Sequence, residues 1–268
     1  MDGKIQVERK NKIALVTMNR TSRQNAFDES MFSALENATD ELRKDLPRAV
    51  IITGAGEEAF SAGFDVNPDN SLVADFIEVL NNLDIELARS LLKRIRKAVD
   101  EFISLPVPII AAINGLAYGG GMELATRCDL RVMDQTAQLC FSEVRLGLMP
   151  DWGGSTYLTK LVGSAIASDL ILTARTVNAD QALKMGLVNR VSDQGQSVNE
   201  AVNLAEQIAH NGPKAVRSAL VVIRQSQGLA LEKALELEAE TAAKLIVSGE
   251  CMHGITAFMG KKTPEFPD

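Results

Sequence analysis

The chain of 268 residues carries 28 Lys and Arg against 35 Asp and Glu, a formal charge of −7, with 46% hydrophobic and 24% charged residues. This is the balance of an ordinary globular protein able to bury a sizeable core, and it argues against a broad phosphate-binding face of the kind nucleic acid requires. Cys128, Cys140 and Cys251 are far apart and only two histidines occur, which argues against a zinc cluster and a disulfide framework, and no apolar run reaches the length of a membrane span. The N-terminal MDGKIQVERKNK is polar and alternating, unlike a signal peptide, so a soluble, cytoplasmic protein is expected.

In chain order, Lys4 to Lys10 alternates and Lys12 to Met18 is more apolar, a predicted hairpin turning at Lys10-Asn11. A polar loop follows to Asn25, then a helix over 29–44 with Asp28 as its cap and Met31, Leu35, Ala38 and Leu42 at helical spacing. Residues 48–53 (RAVIIT) read as a buried strand. The Gly54-x-Gly56-x-x-Ala59 after it formally matches a dinucleotide fingerprint, but the segment that follows is short, glycine-broken and not helical, so a Rossmann site is rejected. Residues 71–105 have helical composition and stop before Pro106. Strands are predicted near 108–113, 130–133, 138–141 and 187–191, and small helices at 154–161 and 164–173, with another capped by Asn178. From Ser197 the pattern becomes all-helical: a capping box at Ser197–Glu200, helices over 197–210, 213–226 and 229–248, and a last one from Met252. The organisation is an α/β body over 1–195 and a helical region over 196–268.

Chemistry concentrates in Asn114 to Glu123 (NGLAYGGGME). A strand feeding a triple glycine feeding a helix leaves the first helical N–H groups unpaired at the positive end of the dipole. Glycine also lets a ligand or another backbone approach closely. The stretch therefore reads as an anion or oxyanion site, with Glu123 on the same helix face as Gly120. Tight packing alone is the competing explanation for the glycines. Phe60–Asp65 (FSAGFD) is similar in kind, with an exposable N–H at Phe64, and Phe141–Gly154 (FSEVRLGLMPDWGG) brings two acids before a glycine-rich helix start.

These segments, in this order, resemble the crotonase (enoyl-CoA hydratase/isomerase) superfamily along the length of the chain: Asn25-Ala26, AFSAGFD, NGLAYGGGMEL, FSEVRLGLMPDWGG and the ending Gly254–Phe266. The resemblance implies a right-handed spiral of ββα turns with a C-terminal helical trimerisation region, hence a homotrimer or a dimer of trimers. It implies a substrate that is an acyl-CoA thioester, coenzyme A entering as part of the substrate with no permanently bound cofactor and no metal. Backbone N–H groups of Phe64 and Gly120 would form the oxyanion hole. Glu123 and Glu143 match the two glutamates of the family's hydratases, with Glu123 assigned to water and Glu143 to the Cα proton. Asp151 departs from the small residue usual there, and its spacing from Glu143 is similar to the acid pair of dienoyl-CoA isomerases. Isomerisation through Glu143 and Asp151 is thus the alternative to hydration. Arg23, Ala26, Ala62, Asp65, Trp152, Phe258 and Lys261 are expected around the acyl chain and the coenzyme. Neither His210 nor His253 falls where a catalytic triad or a dehalogenase histidine would need it, and the acidic charge balance argues against an RNA-binding member.

Overall fold

Continuous runs of Ile, Val and Ala form strands that are covered on both faces, and in the computed structural model, which describes residues 4–267, they build two sheets. β1 (Ile5–Lys10) and β2 (Ile13–Met18) pair antiparallel through a turn at Asn11 and Lys12. α1 (Glu29–Lys44) starts where Asp28 accepts the Met31 amide at 2.8 Å. β3 (Ala49–Gly54), β4 (Ala59–Ser61), α2 (Ser71–Asn82) and α3 (Ile85–Ile103) follow, then β5 (Ile109–Ile113), β6 (Leu116–Tyr118) and α4 (Gly120–Arg127). Next come β7 (Leu130–Asp134), β8 (Gln138–Cys140), α5 (Gly154–Thr173), β9 (Val177–Asn178), α6 (Ala179–Lys184) and β10 (Arg190–Ser192). α7 (Ser197–Ala209), α8 (Pro213–Ser226), α9 (Leu231–Val247) and α10 (Cys251–Met259) complete the chain.

The larger sheet has the order β1-β2-β3-β5-β7-β10 and the smaller β4-β6-β8-β9. Each of β3, β5 and β7 lies in the first, and the strand after it (β4, β6, β8) crosses to the second; helices lead back after β4 and β6, whereas after β8 the chain adds β9 to the small sheet before α6 leads back to β10. All pairings among β3 to β8 are parallel. This is the expected spiral of ββα turns. The period of two divides each central strand between two cores. Val50, Ile52, Ile109 and Ala111 face the main core with α1 and α3, while Ile51, Ile110 and Ala112 face α7 through Ala201 and Ala205.

Three local readings change. The helical stretch 71–105 is two helices, because Leu83 turns left-handed (φ 50°) and Asp84 caps α3 by accepting the Glu86 and Leu87 amides. The capping box at Ser197–Glu200 does not form. Gln196 holds the cap position without a side-chain bond and Ser197 is buried inside the helix. A capping box exists instead at the start of α6, where Asn178 and Gln181 exchange side-chain bonds with each other's amides. The strand expected at 187–191 lies at Arg190–Ser192, since Leu187 and Val188 are drawn into the core by the turn after α6. The two short helices expected at 154–161 and 164–173 do form, as the two arms of α5 parted at the non-helical Gly163 (φ 80°, ψ 162°). Among the described residues no helix is long and apolar enough to cross a membrane.

Candidate active site

The chemistry-bearing loops all leave the carboxyl ends of β4, β6 and β8, three neighbouring parallel strands of the small sheet. That is where open parallel sheets bind ligands. After β4 the chain runs beside Gln24–Phe27. The Ala62 amide donates to the Gln24 carbonyl (2.9 Å), the Phe27 amide to the Gly63 carbonyl (2.7 Å) and the Asp65 amide to the Phe27 carbonyl (2.9 Å). These bonds use the groups on either side of Phe64, in a parallel bridge between Phe27 and Phe64, so the Phe64 N–H points away from that segment. After β6 the Gly119 amide still pairs with the Cys140 carbonyl (3.0 Å), and the next amide, Gly120, opens α4 where no intrahelical acceptor exists. The two turns touch. A Cβ on Gly63, which has φ +89°, would lie 2.7 Å from the Gly120 nitrogen. Close approach of two main chains therefore requires glycine here, and it sets the Phe64 and Gly120 amides in adjoining loops.

Beside them sits a group of acids. Glu123, buried in the first turns of α4, accepts the Gly154 amide on Oε2 (2.6 Å) and the Asp151 amide on Oε1 (3.2 Å), so it also caps α5. Glu143 opens a 3-10 turn after β8, and both its oxygens are buried with no hydrogen-bond donor among the described residues. Burial, then the facing Glu143 carboxyl, pushes Glu123 well above the usual carboxylate range. Burial likewise raises Glu143, with Asp151 adding to the effect. Asp151 is pushed by burial up to about 6, against the nearby Arg96 guanidinium. Among the described residues none of the three acids is locked in an ion pair. Carboxyls raised by burial, with acidic neighbours adding to it at Glu123 and Glu143, can hold a proton near neutral pH and exchange it.

The other expected residues divide. Trp152 is packed edge-on against Phe27 and Phe32 (ring centroids 5.5 and 5.1 Å) and over Gly120, where a Cβ would come within 2.7 Å of its ring. It forms the floor beneath the glycine turn. Asp65 is buried in an ion pair with Arg20 (2.7 Å) and accepts from the Asn67 amide, and Arg20 also bonds the Ala26 carbonyl. Asp65 and Ala26 thus fasten the Phe64 loop. Ala62 does the same through its amide. Arg23 pairs with Asp69 at the surface. Phe258 and Lys261 lie on and just past α10, both exposed, and no hydrogen bond, ion pair or ring contact among the described residues joins them to the acids. Sequence reasoning missed Arg20 and Arg127. Each is one charge in a segment noted for other features, and only its tertiary partners distinguish it. No group of three or more His, Cys, Asp or Glu side chains suited to a metal ion occurs among the described residues.

A family model described as Enoyl-CoA hydratase/isomerase matches residues 8–268. The chain belongs to the enoyl-CoA hydratase/isomerase family. It is 33% identical over 260 residues to a short-chain-enoyl-CoA hydratase of Clostridium acetobutylicum, covering 97% of this chain and 95% of that one. It is 32% identical to the 2,3-dehydroadipyl-CoA hydratase of Escherichia coli, with 97% of each covered. The fold matches the crystal structure of an enoyl-CoA hydratase from Bacillus anthracis with a TM-score of 0.88, at 32% identity and 98% coverage of both chains. Relatives so named, matched over nearly full length, make this member an enzyme of the hydratase type.

Proposed function

We propose that the protein adds water across the 2,3 double bond of an enoyl-CoA thioester. The observation that carries the reading is the pair of neighbouring glutamates, Glu123 and Glu143, in no ion pair among the described residues and beside two turns that each present a main-chain amide. The Phe64 and Gly120 N–H groups receive the thioester oxygen, on which negative charge grows as water adds to Cβ. Two such preorganised donors, one at a helix N-terminus, stabilise that charge where it develops. The amides at Asp151 and Gly154 and the N-terminus of α5 favour negative charge on Glu123 against the burial that opposes it, whereas among the described residues no hydrogen-bond partner is placed at either oxygen of Glu143. Glu123 therefore takes the proton from water as its oxygen bonds to Cβ, and Glu143 gives its proton to Cα as the enolate collapses. The facing carboxyls then pass one proton from Glu123 back to Glu143, and the cycle closes without a cofactor.

Lys261, which is exposed, and Arg23, which Asp69 pairs at the surface, are the cations that would meet the coenzyme's phosphates, Lys261 at the end of a helical region whose apolar side chains stand exposed (Leu231, Leu235, Ile246, Met252, Phe258). That exposure supports assembly into a homotrimer or a dimer of trimers, which light scattering on the purified protein reads directly. The deciding experiment follows the loss of conjugated-thioester absorbance on linear, branched, aromatic and carboxyl-terminated enoyl-CoAs, with product analysis. Hydration of at least one, abolished in Glu143→Gln, supports the reading. Bond migration without water addition assigns the site to isomerisation through Glu143 and Asp151 instead.

A further inference from the structure

Arg127 stands four residues after Glu123 on α4, so the two side chains leave one face of the helix toward the same loop. Glu123 grips that loop by its amides at Asp151 and Gly154. Arg127 grips it between those points: Nη1 donates to the Trp152 carbonyl at 2.5 Å, and a Cβ on Gly153 would lie 3.2 Å from Cδ of Arg127. The guanidinium also lies over the Tyr157 ring of α5, 5.0 Å from its centroid. Its charge is met by Asp100 of α3, whose Oδ1 is 2.6 Å from Nη2 while Oδ2 holds Arg96 at 3.0 Å. The Arg127 side chain is nearly fully buried, and its Nε has no partner among the described residues. A simple stability role would favour an apolar side chain here, since a buried guanidinium with an unmet N–H is costly. What this guanidinium has that an apolar group lacks is a fixed planar fork able to hold a carbonyl, a carboxylate and a ring face at once.

We propose that Arg127, held by Asp100, is a positioning residue. It sets the Asp151–Gly154 loop, and through the two loop amides it fixes the Glu123 carboxylate for proton transfer. The inference rests on the hydratase reading of the site. Among the described residues Arg127 is joined to Glu123 by no hydrogen bond or ion pair. Its effect passes through the loop, and small displacements of a proton-transferring group slow the chemical step far more than they weaken substrate binding.

The test compares wild-type protein with Arg127→Lys and Asp100→Asn, measuring kcat, KM, the pH profile of kcat and thermal unfolding on whichever enoyl-CoA the wild type hydrates. Lysine keeps the charge but not the three-way grip, so Arg127→Lys is expected to lower kcat about ten- to hundredfold with KM changed less than about threefold. The alkaline limb of the pH profile moves, because the amides no longer hold Glu123 in place. Asp100→Asn, altered on the half-exposed face of α3, gives a smaller loss with the same displaced limb. It carries the test alone if Arg127→Lys does not fold. Wild-type kcat and an unmoved pH limb in the folded variants overturn the proposal, as does a loss that resides entirely in KM. Absence of hydration by the wild type on every thioester is read before any variant and refutes the function itself, and with it this inference.

Discussion

Glutamine at position 123 and glutamine at position 143 should separate two properties that are joined in this site. Glu123 accepts two main-chain amides, Gly154 on one oxygen (2.6 Å) and Asp151 on the other (3.2 Å). Glutamine has a single acceptor oxygen, so one of those amides is left facing an NH₂ group, at a cost of about 1–3 kcal/mol. At about 2–4 °C per kcal/mol for a chain of this size, Glu123→Gln should lower the unfolding temperature by several degrees. Among the described residues Glu143 has no hydrogen-bond partner at either oxygen, and its charge is opposed by burial. Glu143→Gln should leave the unfolding temperature unchanged or raise it. Turnover should fall about 10²–10⁴-fold in both, since each removes a proton-transferring group. The assay pairs initial rates of thioester-absorbance loss with calorimetric unfolding at neutral pH. A Glu143→Gln variant that destabilises more than Glu123→Gln, or one that retains turnover, would refute the division of roles drawn here.

Further outcomes follow from the same geometry. Gly63→Ala places a Cβ 2.7 Å from the Gly120 nitrogen and at φ +89°, so it should cost about 10²–10³ in kcat, as loss of one oxyanion donor does, checked by steady-state kinetics on the folded protein. Arg20→Ala leaves the buried Asp65 carboxylate without its cation and should cost about 3–5 kcal/mol in denaturant unfolding, with Arg20→Ala/Asp65→Asn recovering part of it. Asp151 ionises at 3.8 when free and at about 6 in the fold, so its ionisation opposes folding; the penalty is absent below the lower value and complete above the higher. Asp151→Asn should therefore raise the unfolding temperature at pH 8 and give no gain at pH 3. Because the Glu123–Glu143 pair must keep one proton, kcat should decline as pH rises past the point where both ionise, and a pH–rate profile with a flat alkaline limb would contradict that.

Much of the site was readable from local pattern. Gly63, Gly119 and Gly120 occur where two main chains meet, and only glycine tolerates that approach, so the requirement is written into the chain at those positions. The alternation of strand and helix signals likewise specified a parallel α/β body, because runs apolar at every position fit only strands buried on both faces. The break at Leu83 and the missing capping box at Ser197 were not readable. A leucine in the left-handed region carries no local signature, and Ser197 faces a core formed by residues far away in the chain.

By itself, then, the order of residues determined the two glycine turns, the presence of Glu123 and Glu143, and the ββα rhythm, since each depends on backbone sterics or on a period of a few residues. Tertiary structure alone decided that Glu123 also caps α5, that Trp152 lies in the floor beneath Gly120, that Asp65 is an anchor for its loop, and that Arg127 grips the Asp151–Gly154 segment. The physical reason is common to all four. Their partners are brought close by the spiral of the chain and not by neighbouring positions along it, and a burial or a hydrogen bond of that kind has no sequence period to announce it.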